Sequence, residues 1–324
     1  MTAAVGTIDA TGIATAQPPA SAARLFWMRF KDDKAAFGAV FVIAILILVA
    51  IFGGPLAEHF TGHAQNSVHG NMTNDFGVPL GPALHTDEGS FIFGADPAGR
   101  DLFVRTMYGA RTSLVVGIAA TAIAVFVGLT VGLLAGYYGG WIDTLLSRVS
   151  DVMLAVPQFI IAIGIVAACS TSVKGCLGGI VQPGINVVII VIALFTWPYI
   201  GRIVRGFTLS LREREFVEAS RSLGASNFRI IRKEILPNLI GPIVVYTTLL
   251  IPSNIIFEAG LSFLGLGVPA DEASWGGLLS DATQYYNVAW WLMVFPGLFL
   301  VITTLAFNLL GDGLRDALDV RADR

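Results

Sequence analysis

Charge is scarce in this chain. Asp, Glu, Lys and Arg make up 13% of its 324 residues, where a soluble domain averages roughly 25%, so a water-soluble globule is excluded. The mean hydropathy of +0.73 points the same way. The formal net charge is only −3, and without a basic arm or tail there is no basis for a nucleic-acid partner. A G-x-x-x-x-G-K-[ST] phosphate loop is lacking, so the chain does not hold ATP in that manner. Also lacking are an H-E-x-x-H metal motif and any apparent nucleophile or acid pair, which argues against a membrane enzyme. A secondary transporter or channel would need ionisable groups deep in its spans, and this chain has almost none.

What is abundant is apolar length. Crossing a bilayer takes about 20 residues of helix, and six stretches qualify: 35–52, 114–137, 149–168, 185–200, 239–257 and 289–310. The expectation is an all-α integral membrane protein with six transmembrane helices, a transmembrane domain over 35–310, and tails at 1–34 and 311–324. The third stretch carries Asp151 and Pro157 in its first half, and the fourth is short and ends at Trp197-Pro198. The first stretch reads as a retained anchor, being longer than the 7–15 residues typical of a cleaved signal peptide. Residues 1–23, rich in Thr, Ala, Gly and Pro, show no periodicity and read as disordered.

Basic residues orient the spans. Before the first span lie four Lys or Arg residues, between the second and third one, between the fourth and fifth eight, and in the tail three; the alternate loops hold three, one and none. The positive-inside rule then places both termini in the cytoplasm and puts loops 53–113, 169–184 and 258–288 outside. The only two cysteines, Cys169 and Cys176, fall in the middle outer loop, "CSTSVKGC". In that compartment disulfides persist, and a bridge there would be a loop staple worth about 2 kcal/mol; the alternative is two unpaired thiols at a helix end.

The segment 201–238 is the most charged part of the chain. Within it, Glu215, Phe216, Ala219 and Leu223 recur at helical spacing, Gly224 suits a left-handed helix end, and Ser226 caps a second helix; Pro237 begins the next span. So short an amphipathic element cannot bury its apolar side alone. It must lie on the membrane surface, on its own chain, or in a groove of another protein.

The order Glu218-Ala219-Ser220, Gly224, Leu236-Pro237 resembles the EAA loop of the membrane subunits of ATP-binding-cassette importers, with Ser220 in place of the usual second alanine and Glu234 in place of isoleucine. The run "FGADPAGRDLFVRTMYGARTSL" (93–114) resembles the C-type permeases of dipeptide and oligopeptide importers, whose relatives handle glutathione or nickel. "EAGLSFLGLGVPADEASWGGLL" (258–279) and "NLLGDGLRDALDVR" (308–321) match the same subfamily. The resemblance covers roughly 34–321. It implies the type I importer permease architecture, with a coupling helix over 215–238 whose contact residues are Glu215, Glu218, Ala219, Ser220, Leu223, Gly224 and Ala225, with Glu218 making a polar contact or pairing with Arg221. It also implies as partners a homologous B-type permease, two cytoplasmic ATPase subunits holding ATP and magnesium, and an extracytoplasmic binding protein, with membrane lipid around the whole. No cofactor is expected on this chain.

In 93–114, Asp96 and Pro97 suit the N-cap and first turn of a short helix. That helix carries Arg100, Asp101, Arg105 and Arg111, whose expected roles are lipid-headgroup contact or an Asp101–Arg105 pair. The Gly-rich segment 258–288 reads as partly re-entrant or as packed loop, with Glu258 and Phe263 beside the pathway and Glu258 at a span margin. All four histidines, His59, His63, His69 and His85, lie in the first outer loop. Thr61 and Gly62 disfavour helix between His59 and His63, and no carboxylate or thiol stands at ligand spacing, so no metal site is expected. This loop reads as a cover over the outer mouth or a docking surface.

Overall fold

Hydrophobic stretches of this length can satisfy their backbone in lipid only as helices, and helices dominate the computed structural model, which describes residues 22–87, 89–171, 176 and 184–318. Five are long and apolar enough to cross a membrane, and one bent pair supplies a sixth crossing.

A short helix, α1 (Ala22–Asp32), precedes the first crossing and buries Phe30 beside Ala36 and Ala317. Of the tail expected to be disordered, residues 1–21 lie outside the described residues. Asp33 caps α2 (Lys34–Leu48), accepting hydrogen bonds from the amides of Ala35 and Ala36 at 3.0 and 3.1 Å. A π-helical turn, Val49–Gly53, carries the rod into α3 (Gly54–Thr61), which ends at Gly62 in the left-handed region, φ 77°. The first crossing is therefore longer than predicted.

The second and fourth crossings are α4 (Leu102–Tyr138) and α7 (Ile185–Arg212), which form the most extensive helix pair in the molecule. Gly128, Gly132 and Gly136 face α7 from successive turns of α4. A Cβ added to Gly132 would lie 2.6 Å from the Gly201 carbonyl oxygen, and one on Gly136 would lie 2.9 Å from that of Arg205. The two helices thus meet backbone to backbone, as small residues allow in membranes. Pro198 removes one hydrogen bond from α7 without ending it, contrary to the expected stop at residue 200; packing of Ile200 and Trp197 on Gly128 holds the helix on both sides of it.

The third crossing departs from the continuous span expected over 149–168. Two helices, α5 (Gly140–Ala155) and α6 (Gln158–Thr171), meet at 86°. Pro157 has no N–H to give and forces the residue before it out of the helical region; Val156 is extended, with φ −84° and ψ 141°.

Beyond α7 come α8 (Glu215–Ser222) and α9 (Asn227–Ile230), the latter running through a π turn, Ile231–Ile235, into α10 (Leu236–Phe263). Residues 227–263 form one long crossing, so Pro237 does not mark its start. The last crossing, α12 (Trp291–Leu318), extends past residue 310 into the expected tail and packs on α10 and α2. At the end of the bundle opposite α8, β1 (Leu84–Thr86) and β2 (Gly89–Phe91) pair antiparallel, and α11 (Trp275–Ala282) folds back against α10 and α12.

Candidate functional site

At the end of the bundle rich in Lys and Arg, α8 is tethered by one side chain. Val217 is fully buried among Leu133, Tyr137, Val204 and Ile230, and the Tyr137 hydroxyl donates to Asn227 Oδ1 at 2.9 Å. The turn after α8 is built as its residues dictate. Gly224 takes φ 78°, its amide donates to the Arg221 carbonyl, and that of Ala225 donates to Ser220. Ser226 caps α9 through the Arg229 amide.

The positions that formed the apolar stripe of α8 in the sequence face outward. Leu223 is 89% exposed, Phe216 39%, and Phe228 on the neighbouring turn 71%. Glu215, Glu218, Ala219 and Gly224 are exposed, while Ser220 and Ala225 are half-buried. Glu218 and Arg221 make no ion pair with each other among the described residues. The tip is therefore an apolar surface with charged margins, anchored through Val217 and left exposed by the rest of this chain.

Behind the tip, ion pairs bind α5 to α7. Arg205 holds Asp143 through both carboxylate oxygens, one of them from Nη2 at 2.7 Å, and Arg202 Nη2 reaches Asp151 at 2.7 Å. Arg212 Nη1 donates to the Gly136 carbonyl at 3.0 Å, linking the end of α7 to the end of α4. None of these links was read from the sequence, where the partners stand tens of residues apart. The signal that was available is the i, i+4, i+8 spacing of Gly128, Gly132 and Gly136.

At the opposite end, several expectations are corrected. Asp101, not Asp96, caps α4, accepting from the amides of Phe103 and Val104. Asp96 instead closes a turn, accepting from the amides of Ala98 and Arg100 and from Arg100 Nε at 2.6 Å. Arg105 pairs neither with lipid nor with Asp101. It is 3% exposed, donates from Nη1 to Asn66 Oδ1 at 2.9 Å and from Nη2 to the Ala270 carbonyl, and faces Asp96 at 3.4 Å, so it bolts the segment before α4 to the one after α10.

Asp101 takes His63 Nδ1 at 2.8 Å, a carboxylate partner that sequence spacing could not show. Burial pushes the Asp101 carboxyl above the usual carboxylate range, opposed by the His63 and amide hydrogen bonds. Burial, followed by the negative charge of Asp96, raises the Asp281 carboxyl as well, against Arg100 and Arg105. The helix carrying His59 persists to Thr61, one residue short of Gly62. No three His, Cys, Asp or Glu side chains gather in metal-binding geometry among the described residues.

Glu258 lies inside the last turns of α10, five residues before its end, and is fully enclosed. Its Oε2 accepts from Ser113 and its Oε1 from Ser262, at 3.0 and 2.6 Å. Ser113 Oγ in turn accepts from the Trp275 amide, and Trp275 Nε1 donates to the Thr106 carbonyl. One carboxyl thus ties α4, α10 and α11 together. Phe263, the residue after Ser262, is 42% exposed, so it and the enclosed Glu258 do not share a surface.

Cys169 and Cys176 are joined by a disulfide, with Cα atoms 5.1 Å apart. Changing both to Ser is expected to lower stability by about 2 kcal/mol while leaving transport intact, as thermal unfolding in detergent with and without reductant would show. Unchanged stability under reduction would mean that the bridge constrains nothing.

Comparison with known proteins agrees with this layout. Residues 128–324 match the family described as the inner membrane component of binding-protein-dependent transport systems, and residues 21–72 match the N-terminal transmembrane domain of oligopeptide transport permease C. The dipeptide transport system permease protein DppC of Alkalihalophilus pseudofirmus is 42% identical over 90% of this chain and 87% of its own length. That of Bacillus subtilis is 38% identical over 92% and 85%. The glutathione transport system permease protein GsiD of Escherichia coli is 41% identical over 91% and 89%. Among solved structures, an inward-facing MetNI methionine ABC transporter chain is 20% identical, covers 66% of this chain and 96% of its own, and has a TM-score of 0.53, a likeness of fold. A helical bundle of this topology, with its exposed tip at the turn after α8, and relatives that match it over nearly their whole length lead to one conclusion: the chain belongs to the inner membrane components of binding-protein-dependent transport systems, as a permease of the dipeptide and oligopeptide C type.

Proposed function

We propose that this chain forms half of the translocation pathway of an ATP-driven importer of di- and oligopeptides, and that α8 is the helix through which ATP hydrolysis moves it. The single observation that carries the coupling role is the exposed apolar tip, Leu223 above all, on a helix anchored by Val217. Leaving such a surface in water is unfavourable by about 1.5–3 kcal/mol for a Leu alone, and a cleft in a cytoplasmic ATPase subunit relieves it. Two such subunits hold ATP and magnesium, a homologous B-type permease completes the membrane pore, and an extracytoplasmic binding protein delivers the peptide. The chain itself binds no cofactor and catalyses no reaction. Both termini lie in the cytoplasm, by the distribution of basic residues.

When the ATPase subunits close, they displace α8 and with it α7, to which the chain joins it directly, and the Asp143–Arg205 and Asp151–Arg202 pairs carry that displacement from α7 into α5 as a rigid-body rotation. Peptide is favoured as solute by the identities to dipeptide permeases of two organisms; glutathione is the second reading, on the comparable identity to a glutathione permease, and nickel a third on resemblance alone. Extraction in mild detergent with a tag on this chain tests the assembly. Copurification of a second permease and one or two ATPases is expected; recovery of a lone chain that neither binds nor stimulates an ATPase would contradict it.

A further inference from the structure

Halfway along the bundle, a groove of about 510 Å³ lies between α6, α7, α10 and α12, about one helical turn along α10 from Glu258. Its depth follows from the helices that make it. Thr196 and Tyr199 stand near the midpoint of α7, Ser253 and Asn254 near that of α10, and Gln158 at the break between α5 and α6. A surface against hydrocarbon at that level is apolar, because polar groups there are costly unless protein or water satisfies them. Here Gln158, Thr196, Tyr199, Tyr246, Ser253 and Asn254 all open on the groove, while no Asp, Glu, Lys, Arg or His lines it.

Part of this polar surface is fixed in place. Asn254, 3% exposed, donates from Nδ2 to Thr121 Oγ1 at 2.8 Å, and its Oδ1 lies 2.9 Å from Thr196 Oγ1, so α4, α7 and α10 are clamped at this level. The rest is open: Tyr199 is 48% exposed, and Ser253 is exposed. Proline interrupts helix hydrogen bonding at the same depth. Pro198 and Pro252 withdraw the N–H that would meet the carbonyls of Leu194 and Thr248, and Pro157 breaks the helix beside Gln158. A permanent seam between membrane helices is made of small residues in close contact, as along Gly128, Gly132 and Gly136; this surface is hollow instead, with its neutral polar groups set among Leu154, Phe195, Leu249, Leu250 and Phe257.

Resting on the function proposed above, we infer that this groove is the mid-membrane wall of the solute path, and that it handles peptides by their backbones. Neutral amide, hydroxyl and carbonyl groups complement the N–H and C=O that every peptide presents. The absence of charge means that no acidic or basic side chain is trapped or repelled on the way. Opposite it, the second permease closes the path.

The test uses the assembled complex in proteoliposomes with Ser253→Cys, an exposed position whose change removes no hydrogen bond that holds the fold together; the native cysteines are held in a disulfide. A charged, membrane-impermeant thiosulfonate is expected to label this cysteine only during ATP turnover, to block uptake, and to react several-fold more slowly with dipeptide present. A second variant, Ser253→Asp, is expected to shift the ratio of Lys-containing to Glu-containing dipeptide uptake at least ten-fold. If only a lipid-soluble maleimide reacts, at a rate indifferent to ATP and peptide, and the Asp variant keeps the wild-type ratio, then lipid or the neighbouring permease covers the groove and the inference is overturned, while peptide uptake by the wild-type complex still upholds the proposed function. A wild-type complex that takes up no peptide overturns that function, and with it the occupant named here.

Discussion

Replacing Leu223 with Asp is expected to abolish uptake, by a hundred-fold or more, without lowering the amount of protein in the membrane. Leu223 is 89% exposed and touches nothing that holds the fold together, so the isolated chain loses no packing. In the assembly the same side chain would enter an apolar cleft, and its removal costs about 1.5–3 kcal/mol of burial. Placing a carboxylate in that cleft adds a desolvation penalty of several kcal/mol more. Together these exceed the roughly 2.7 kcal/mol that corresponds to a hundred-fold change in docking. Gly224→Asp is expected to act in the same direction by another route. Gly224 sits at φ 78°, a conformation that costs an L-residue about 1–2 kcal/mol, and the turn that aims the tip would relax. Uptake and ATPase stimulation in proteoliposomes, with the membrane level read by immunoblot, check both variants; normal transport by both would remove α8 from the coupling role.

Gly132→Leu is expected to have the opposite signature, loss of the protein itself. A Cβ at this position would already lie 2.6 Å from the Gly201 carbonyl oxygen and 2.7 Å from Val204 Cβ, both held by the opposing helix. Nothing there is a flexible side-chain end that could swing aside. Overpacking of one methylene in a close-packed site typically costs 1–3 kcal/mol, and a leucine adds three further carbons, so α4 and α7 must separate. The expected result is a fall in Tm of ten degrees or more in detergent, with little folded protein recovered from the membrane. Gly206→Ala serves as the control on the same helix pair. Gly206 is exposed, and a Cβ there would meet nothing within 4 Å, so that change is expected to be neutral or slightly stabilising.

The two variants also mark what could be read from the sequence. The turn at Gly224 and the cap at Ser226 were legible because each is a local device, decided by residues within four positions of one another. The crossings were legible because apolar length is itself the signal, although their ends were not. The sequence placed the end of the fourth crossing at residue 200, just past Pro198, yet α7 runs on to Arg212, since packing on Gly128 outweighs one lost hydrogen bond. At Pro157, an exposed position, the helix breaks.

The long-range pairs were out of reach. Arg105 meeting Asn66 and Ala270, His63 meeting Asp101, and Arg205 meeting Asp143 depend on which loops and helices the bundle brings together, and no local pattern encodes that. On α8, the sequence showed an apolar stripe but not its direction. Val217 lies off that stripe and is the residue that anchors the helix, which frees Phe216 and Leu223 to face outward.

A photo-reactive amino acid at position 223, activated in intact membranes that contain the whole complex, tests the coupling claim most directly. The account predicts a covalent adduct with a nucleotide-hydrolysing subunit, formed in high yield and altered in yield when ATP is trapped. Adducts with lipid alone, or none with any ATPase, would show that the α8 tip serves some other purpose.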